Sequence, residues 1–320
     1  MQDAPFFADP DRDGCGAALV PGRALWCHAA DGVRLRLGIW PGDPGAATGT
    51  VLLFPGRTEY LEKYGMTASA LAARGYATMA IDWRGQGLAD RLVADRAIGH
   101  VERFGDYQRD VDAMVAAAGA MSLPRPWYLI GHSMGGAIGL RAVLNRLPVH
   151  AALFTGPMWG IAMNPVLHKI ARLLTGPRHI GGLGRFYAPG TGPTTYVLEA
   201  PFADNLLTTD PTTFAMLQAQ ARAHPDLVIG GPSLTWLGEA LAEIRDLCAA
   251  PAPDLPTLTM VGGNERIIDV GAVAARMADW RGGRFEVVAG AEHEILMETP
   301  ERRAAAIDRA VALFADNRAG

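Results

Sequence analysis

The sequence predicts an α/β protein: a mostly parallel, eight-stranded sheet with helices on both faces and a helical insertion. Three observations carry this prediction. Short β-rich runs alternate with helical patterns along the chain. One apolar run, Trp127-Tyr128-Leu129-Ile130, passes at once into Gly131-His132-Ser133-Met134-Gly135-Gly136 and then into a helix-forming segment, residues 137–146. Residues 156–236 break the rhythm, because no buried strand appears in them.

Taken in order, residues 33–39 alternate as a half-exposed strand after an Asp31-Gly32 hairpin turn. Residues 50–54 form a continuous apolar run, the pattern of a strand covered on both faces. Residues 66–74 read as a helix closed by Gly75, and 76–81 as the next strand. Residues 104–121 form an amphipathic helix with Val111, Met114 and Val115 inward. The remaining strands are 127–130, 150–154, 256–261 and 284–288. Helices follow at 270–280 and from Pro300 to about residue 315, where proline suits the first turn.

The interruption contains Gly/Pro clusters such as Pro189-Gly190-Thr191-Gly192-Pro193 between short helical stretches. Apolar residues recur through it: Met158, Trp159, Ile161, Met163, Leu167, Phe186, Tyr187, Phe202, Phe214, Met216 and Trp236. So long a stretch between sheet strands reads as a helical cap over the strand ends, where open α/β sheets bind ligands. The predicted organisation is therefore a core of residues 1–155 and 237–320, interrupted by a cap of residues 156–236. Most of the cap's apolar residues fill its own interior. Met158, Trp159, Phe186, Tyr187 and Trp236 are the candidates for facing a substrate.

Composition bounds the function. The 320 residues are 49% hydrophobic, enough for a large core, and the net charge of −4 gives no reason to expect a nucleic acid partner. The opening residues lack a basic n-region and an apolar h-region, and no apolar stretch reaches transmembrane length. Cys15, Cys27 and Cys248 are odd in number and widely spaced, which suits reduced thiols in the cytoplasm. No cluster has metal-ligand spacing and no dinucleotide fingerprint opens the first strand–helix unit, so neither metal nor cofactor is expected.

The chemistry starts at Ser133. A strand running straight into a helix leaves one residue at the corner in a strained conformation; Gly131 and Gly135 remove the side chains that would collide there. A serine hydroxyl needs an adjacent base, itself oriented by a third group. With this elbow the chain order is serine, acid, histidine. His293, in the loop Ala289-Gly290-Ala291-Glu292-His293-Glu294 after the last strand, is the expected base. His132 is adjacent to Ser133, but successive strand positions point to opposite faces. The acid belongs in the loop after residue 261, where two carboxylates occur. Glu265 sits at the apex and is preferred; Asp269 is the alternative, with helix N-capping as its simpler role. An oxyanion hole needs two backbone N–H groups. Met134 supplies one, and Arg57, after Gly56, the other. The Arg57 side chain either reaches a substrate phosphate or pairs with Glu59, and the pairing is preferred.

Four segments carry a resemblance. Phe54-Pro55-Gly56-Arg57-Thr58-Glu59-Tyr60-Leu61-Glu62-Lys63-Tyr64, Asp82-Trp83-Arg84-Gly85-Gln86-Gly87-Leu88, Gly131 to Gly136 and Gly290-Ala291-Glu292-His293-Glu294 together resemble the α/β-hydrolase family. Within it they look like the branch of L2-type bacterial lysophospholipases and monoacylglycerol lipases, with a serine aminopeptidase S33-type domain. The resemblance implies a capped serine hydrolase of single-chain lipid esters, lysophospholipid or monoacylglycerol, working without a cofactor. Pro55-Gly56 replaces the family's usual His-Gly and fits the L2-type group better. The family's usual acid, Asp, is Glu265 here. Runner-up readings are a small-ester esterase or a peptidase on the same fold. From another class, the alternative is a non-catalytic ligand receptor; such proteins commonly lose one of the catalytic members, whereas here all three roles have a candidate. An apolar cap surface leaves room for transient contact with a membrane surface and for a homodimer.

Overall fold

Strands β1 (Gln2–Ala4), β2 (Arg23–His28), β3 (Arg34–Trp40), β4 (Gly49–Phe54), β5 (Tyr76–Asp82), β6 (Trp127–His132), β7 (Ala152–Thr155), β8 (Thr257–Gly262) and β9 (Gly283–Val288) form a single sheet in the computed structural model. Their order is β1-β2-β3-β5-β4-β6-β7-β8-β9. The structure describes residues 1–7, 19–42, 47–163 and 181–318; Cys15 and Leu167 lie outside them. From β5 to β9 every pairing is parallel, whereas β1, β2 and β3 join antiparallel at one end. The sheet is thus nine-stranded and mixed rather than eight-stranded. The strand Gln2–Ala4 is a short polar edge with no apolar period to betray it.

The described α-helices are α1 (Gly65–Ala72), α2 (Tyr107–Ala120), α3 (Met134–Leu144), α4 (Tyr196–Glu199), α5 (Pro211–Ala223), α6 (Leu234–Ala249), α7 (Val270–Ala278) and α8 (Pro300–Asp316). Every residue of β4, β6, β7 and β8 is buried, because helices cover both faces. On one face Leu52, Phe54 and Leu129 pack with Met114, Ile138, Ala240 and Val273 of α2, α3, α6 and α7. On the other, Val51, Leu53 and Ile130 pack with Leu71 of α1 and Ile307 and Phe314 of α8. The alternation of neighbouring strand residues between two cores is the period-two geometry of a sheet.

Between β7 and β8 lies the long insertion containing α4, α5 and α6. Helix α6 is continuous from residue 234, capped by Ser233 Oγ, which accepts from Trp236 N at 3.0 Å. Its Ala240 and Leu247 belong to the core under the sheet. The expected boundary at residue 236 therefore falls inside a single helix, whose first turn faces the site and whose remainder covers the sheet.

Candidate active site

At the end of β6 the chain turns at Ser133, with φ 50° and ψ −117°, and α3 starts at the next residue. That left-handed conformation is strained for a residue with a side chain. Two glycines make the corner sterically feasible. A Cβ on Gly131 would lie 2.9 Å from the Gly135 carbonyl oxygen, and one on Gly135 would be driven into the Phe54 carbonyl of the neighbouring strand. Ser133 N donates to Thr155 O at 3.0 Å, and Ser133 O accepts from Met158 N at 2.9 Å, so β7 and the segment that follows it lock the turn.

His293 follows β9 and is buried. Its Nδ1 lies 2.7 Å from Glu265 Oε2. The other carboxylate oxygen, Oε1, accepts from Ile267 N at 2.7 Å and Ile268 N at 3.2 Å. Burial pushes the Glu265 carboxyl up, but the hydrogen bond and charge of His293 and the two amides outweigh it, holding it below the usual range. An ionised carboxylate only accepts, so Nδ1 carries the proton and Nε2 is left as a base. Gly156, just after β7, makes room for the ring: a Cβ there would stand 2.9 Å from His293 Nδ1 and Cε1. Ser133 and His293 line the same cavity but are not hydrogen-bonded to each other in this conformation. Asp269 instead caps α7, its Oδ1 accepting from Ala272 N at 3.0 Å.

The loop after β4 presses against the nucleophile; a Cβ on Gly56 would lie 3.1 Å from Ser133 Cβ. The amides of Arg57 and Met134 have no intramolecular acceptor among the described residues. Two residues of the Asp82–Leu88 motif hold this loop, a role that sequence reasoning left unassigned. Gln86 Oε1 accepts from Thr58 N at 3.1 Å while its Nε2 donates to Gly56 O at 3.2 Å, and Trp83 Nε1 donates to Pro55 O at 2.9 Å. The signal was present as a polar side chain inside a Gly-rich turn, without a visible partner.

Beneath the loop lies a buried charged cluster. Glu59 Oε2 accepts from Gly56 N and from the Tyr64 hydroxyl, and Lys63 Nζ donates to both Glu59 Oε1 and Glu294 Oε1. Burial pushes the Lys63 ammonium down, but its two carboxylates more than compensate and raise it. Ligand atoms of Glu59, His132 and Glu294 lie within 4.8 Å of one another, an arrangement that could hold a cation. The cation placed there is the Lys63 ammonium itself. His132 points to this cluster rather than to Ser133: its Nε2 lies 3.8 Å from Glu59 Oε1 and its Nδ1 2.9 Å from Thr155 O. Burial pushes its imidazole down to about 4, against the pull of Glu59, so it is neutral at physiological pH.

These groups open on a cavity of about 310 Å³ with mostly apolar walls, among them Met158, Ile161, Leu206, Leu207, Trp236 and Ile267. Of the five expected substrate-facing residues, Met158 and Trp236 line it. Trp159 does not: it is fully buried between Phe154 and Trp280, and its Nε1 donates to Gly136 O at 3.1 Å. Phe186 is 62% exposed, and the Tyr187 hydroxyl donates to Asp95 Oδ2 at 2.8 Å. Both follow a tight turn at Gly181–Arg185; their backbones pair with Leu234 and Ser233 at the start of α6, and neither residue lines the cavity. The expected Arg57–Glu59 pair does not form either. Glu59 is committed to Lys63, Tyr64 and Gly56, and the Arg57 guanidinium lies over the Trp236 ring, 5.3 Å from its centroid, donating to Gly230 O.

Known proteins share this architecture. The family model "Serine aminopeptidase, S33" matches residues 45–300. Lysophospholipase L2 of Escherichia coli (strain K12) is 34% identical over 282 residues, covering 82% of this chain and 79% of that protein. The monoacylglycerol lipase of Mycolicibacterium smegmatis is 27% identical over 281 residues, covering 85% and 90%. Among solved structures, a soluble variant of monoglyceride lipase from Saccharomyces cerevisiae superposes with a TM-score of 0.73 at 19% identity, covering 99% of this chain and all of that one. At that identity the superposition speaks for the fold, an α/β-hydrolase.

Proposed function

The chain belongs to the serine aminopeptidase S33 family, and from that premise we propose that it is a serine hydrolase of single-chain lipid esters, lysophospholipid or monoacylglycerol. The observation that carries this is the Glu265–His293 pair, 2.7 Å apart, on the same apolar cavity as the strained Ser133. In this reading Ser133 Oγ attacks the ester carbonyl carbon while His293 Nε2 takes its proton. Apo geometry is commonly looser than that of the substrate complex, so substrate binding draws the two together. Glu265 fixes the tautomer and stabilises the imidazolium. The amides of Met134 and Arg57 receive the developing oxyanion. His293 then protonates the leaving alcohol, and a water deprotonated by His293 releases the fatty acid from the acyl-enzyme.

The acyl chain lies along the apolar wall, beneath the described part of the insertion between β7 and β8. Each methylene buried there contributes about 0.8 kcal/mol. A peptidase that grips a free α-ammonium needs an unpaired carboxylate in the cavity, and Glu59 and Glu294 are both tied to Lys63. Exposed Leu183, Phe186 and Phe202 on the insertion would meet the lipid phase. No helix among the described residues is long and apolar enough to cross a membrane. Cys27 and Cys248 are free thiols, in keeping with a cytoplasmic setting.

The test is hydrolysis of nitrophenyl esters of increasing chain length, together with labelling by a fluorophosphonate probe. Activity should rise with chain length, and Ser133→Ala should lose both activity and label. Equal rates for wild type and Ser133→Ala would end the proposal; a wild type that neither hydrolyses nor labels would leave a ligand receptor.

A further inference from the structure

Arg57 is a cation without an anion. Its Nη2 donates to the Gly230 carbonyl, its Nε is buried with no hydrogen-bond partner, and no carboxylate pairs with it among the described residues. The pocket around it is shaped for a guanidinium. Gly99 packs so closely that a Cβ there would lie 2.9 Å from Nη2 and 3.2 Å from Nε, while the Trp236 ring covers one face. Burial pushes the guanidinium down to about 10, which still leaves it charged at neutral pH. Holding an unpaired charge away from water is costly unless an anion completes it. Every other charged group on the cavity wall has a partner: Glu59 and Glu294 share Lys63, and His293 holds Glu265.

Position adds to chemistry. Arg57 follows Gly56, which packs on Ser133 Cβ. An anion at the guanidinium therefore sits one arginine side chain away from the carbonyl that Ser133 would attack. A glycerol backbone places a phosphate at that kind of separation from an acyl ester.

We propose that the Arg57 side chain is the headgroup-recognition residue of this site, and that it selects glycerol esters carrying a phosphate over neutral ones. The inference rests on the ester-hydrolase reading above and narrows its substrate. Guanidinium–phosphate pairs are charge-assisted and frequently bidentate, so Arg is better suited than Lys.

The test uses non-hydrolysable ether analogues of one chain length as inhibitors of nitrophenyl butyrate hydrolysis: an alkylglycerol, an alkylglycerophosphate and an alkylglycerophosphocholine. Inorganic phosphate alone is a fourth arm. In the wild type both phosphate ethers should inhibit at least tenfold more tightly than the alkylglycerol. Arg57→Met should bring that ratio close to one, and Arg57→Lys should retain part of it. Tight inhibition by inorganic phosphate alone, without the lipid arms, would mean a free-phosphate site and overturn the proposal. So would a wild type indifferent to the phosphate, a result that needs no variant to fold. An Arg57→Met protein that keeps the wild-type ratio would assign the side chain to supporting the Gly230 loop. If Ser133→Ala hydrolysed the reporter as fast as wild type, the ester-hydrolase reading would fail instead, and the inhibitor ratios would not enter.

Discussion

Glu294, the residue after His293, has its Oε1 2.6 Å from Nζ of Lys63. Because Lys63 also holds Glu59, and Glu59 accepts from Gly56 N, one ammonium joins the loop bearing the base to the loop packed on the nucleophile. Burial pushes the Glu294 carboxyl up, and the lysine opposes that shift. The cluster is therefore a strap between two segments far apart in sequence.

Lys63→Met should show this directly. It leaves two carboxylates facing each other in a buried site, and breaking such a pair costs about 3–5 kcal/mol. We expect a lowered unfolding midpoint and a kcat that falls more than KM changes, since the strap positions groups rather than binding substrate. A variant that is less stable but keeps full kcat would reduce the cluster to a structural role.

The two carboxylates after β8 should separate cleanly. Glu265→Gln keeps the shape but cannot hold the required tautomer; by analogy with triad acids, kcat should fall by roughly three to four orders of magnitude. Asp269→Ala removes an N-cap bond of 3.0 Å and should cost about 1 kcal/mol of stability with kcat nearly unchanged. Kinetics and urea unfolding of both variants decide the matter. The reverse pattern would make Asp269 the acid.

What was legible in the sequence was whatever depends on local pattern. The buried strands announce themselves as unbroken apolar runs because helices cover both faces, and the elbow announces itself because Gly131 and Gly135 have a steric reason to be there. The acid loop was legible down to two candidate carboxylates with Glu265 preferred, and the structure brings Glu265 rather than Asp269 to the imidazole. Direction within the insertion was not legible. Met158 and Trp159 are neighbours of similar character, yet one lines the cavity and the other lies in the core, a difference set by tertiary packing. Arg57 failed for a related reason. Proximity to Glu59 along the chain suggested a pair, but Lys63 and Tyr64 claim that carboxylate first.

His132 gives the stability a defined pH dependence. Its imidazole titrates at about 4 in the fold, against about 6.5 in an unfolded chain. Between those values the unfolded chain binds a proton that the folded chain refuses, so stability is fully present above 6.5 and is lost as pH falls towards 4. By pH 5 the loss from this group is about 2 kcal/mol. His132→Asn removes the titration, so its stability gap to wild type should narrow between pH 7 and pH 5 in urea unfolding. A gap that stays constant would show that the imidazole is not held neutral by burial.

The elbow can be tested by one methyl group in two places. On Gly135 a Cβ would be driven into the Phe54 carbonyl oxygen and lie 2.5 Å from the Pro55 oxygen. Both obstacles are backbone of the adjoining strand and loop, so no rotamer relieves them. Gly135→Ala should therefore cost more than about 4 kcal/mol or prevent folding, at the extreme of single-substitution effects. On Gly119, exposed near the end of α2, a Cβ meets nothing within 4 Å, and φ is not positive. Gly119→Ala should raise stability by about 0.5–1 kcal/mol, because alanine loses less backbone entropy in a helix. Thermal melts of the two variants, made side by side, read both signs. A Gly135→Ala protein as stable as Gly119→Ala would mean that β4 and the first turn of α3 can move apart, and the strained placement of Ser133 would lose its cause.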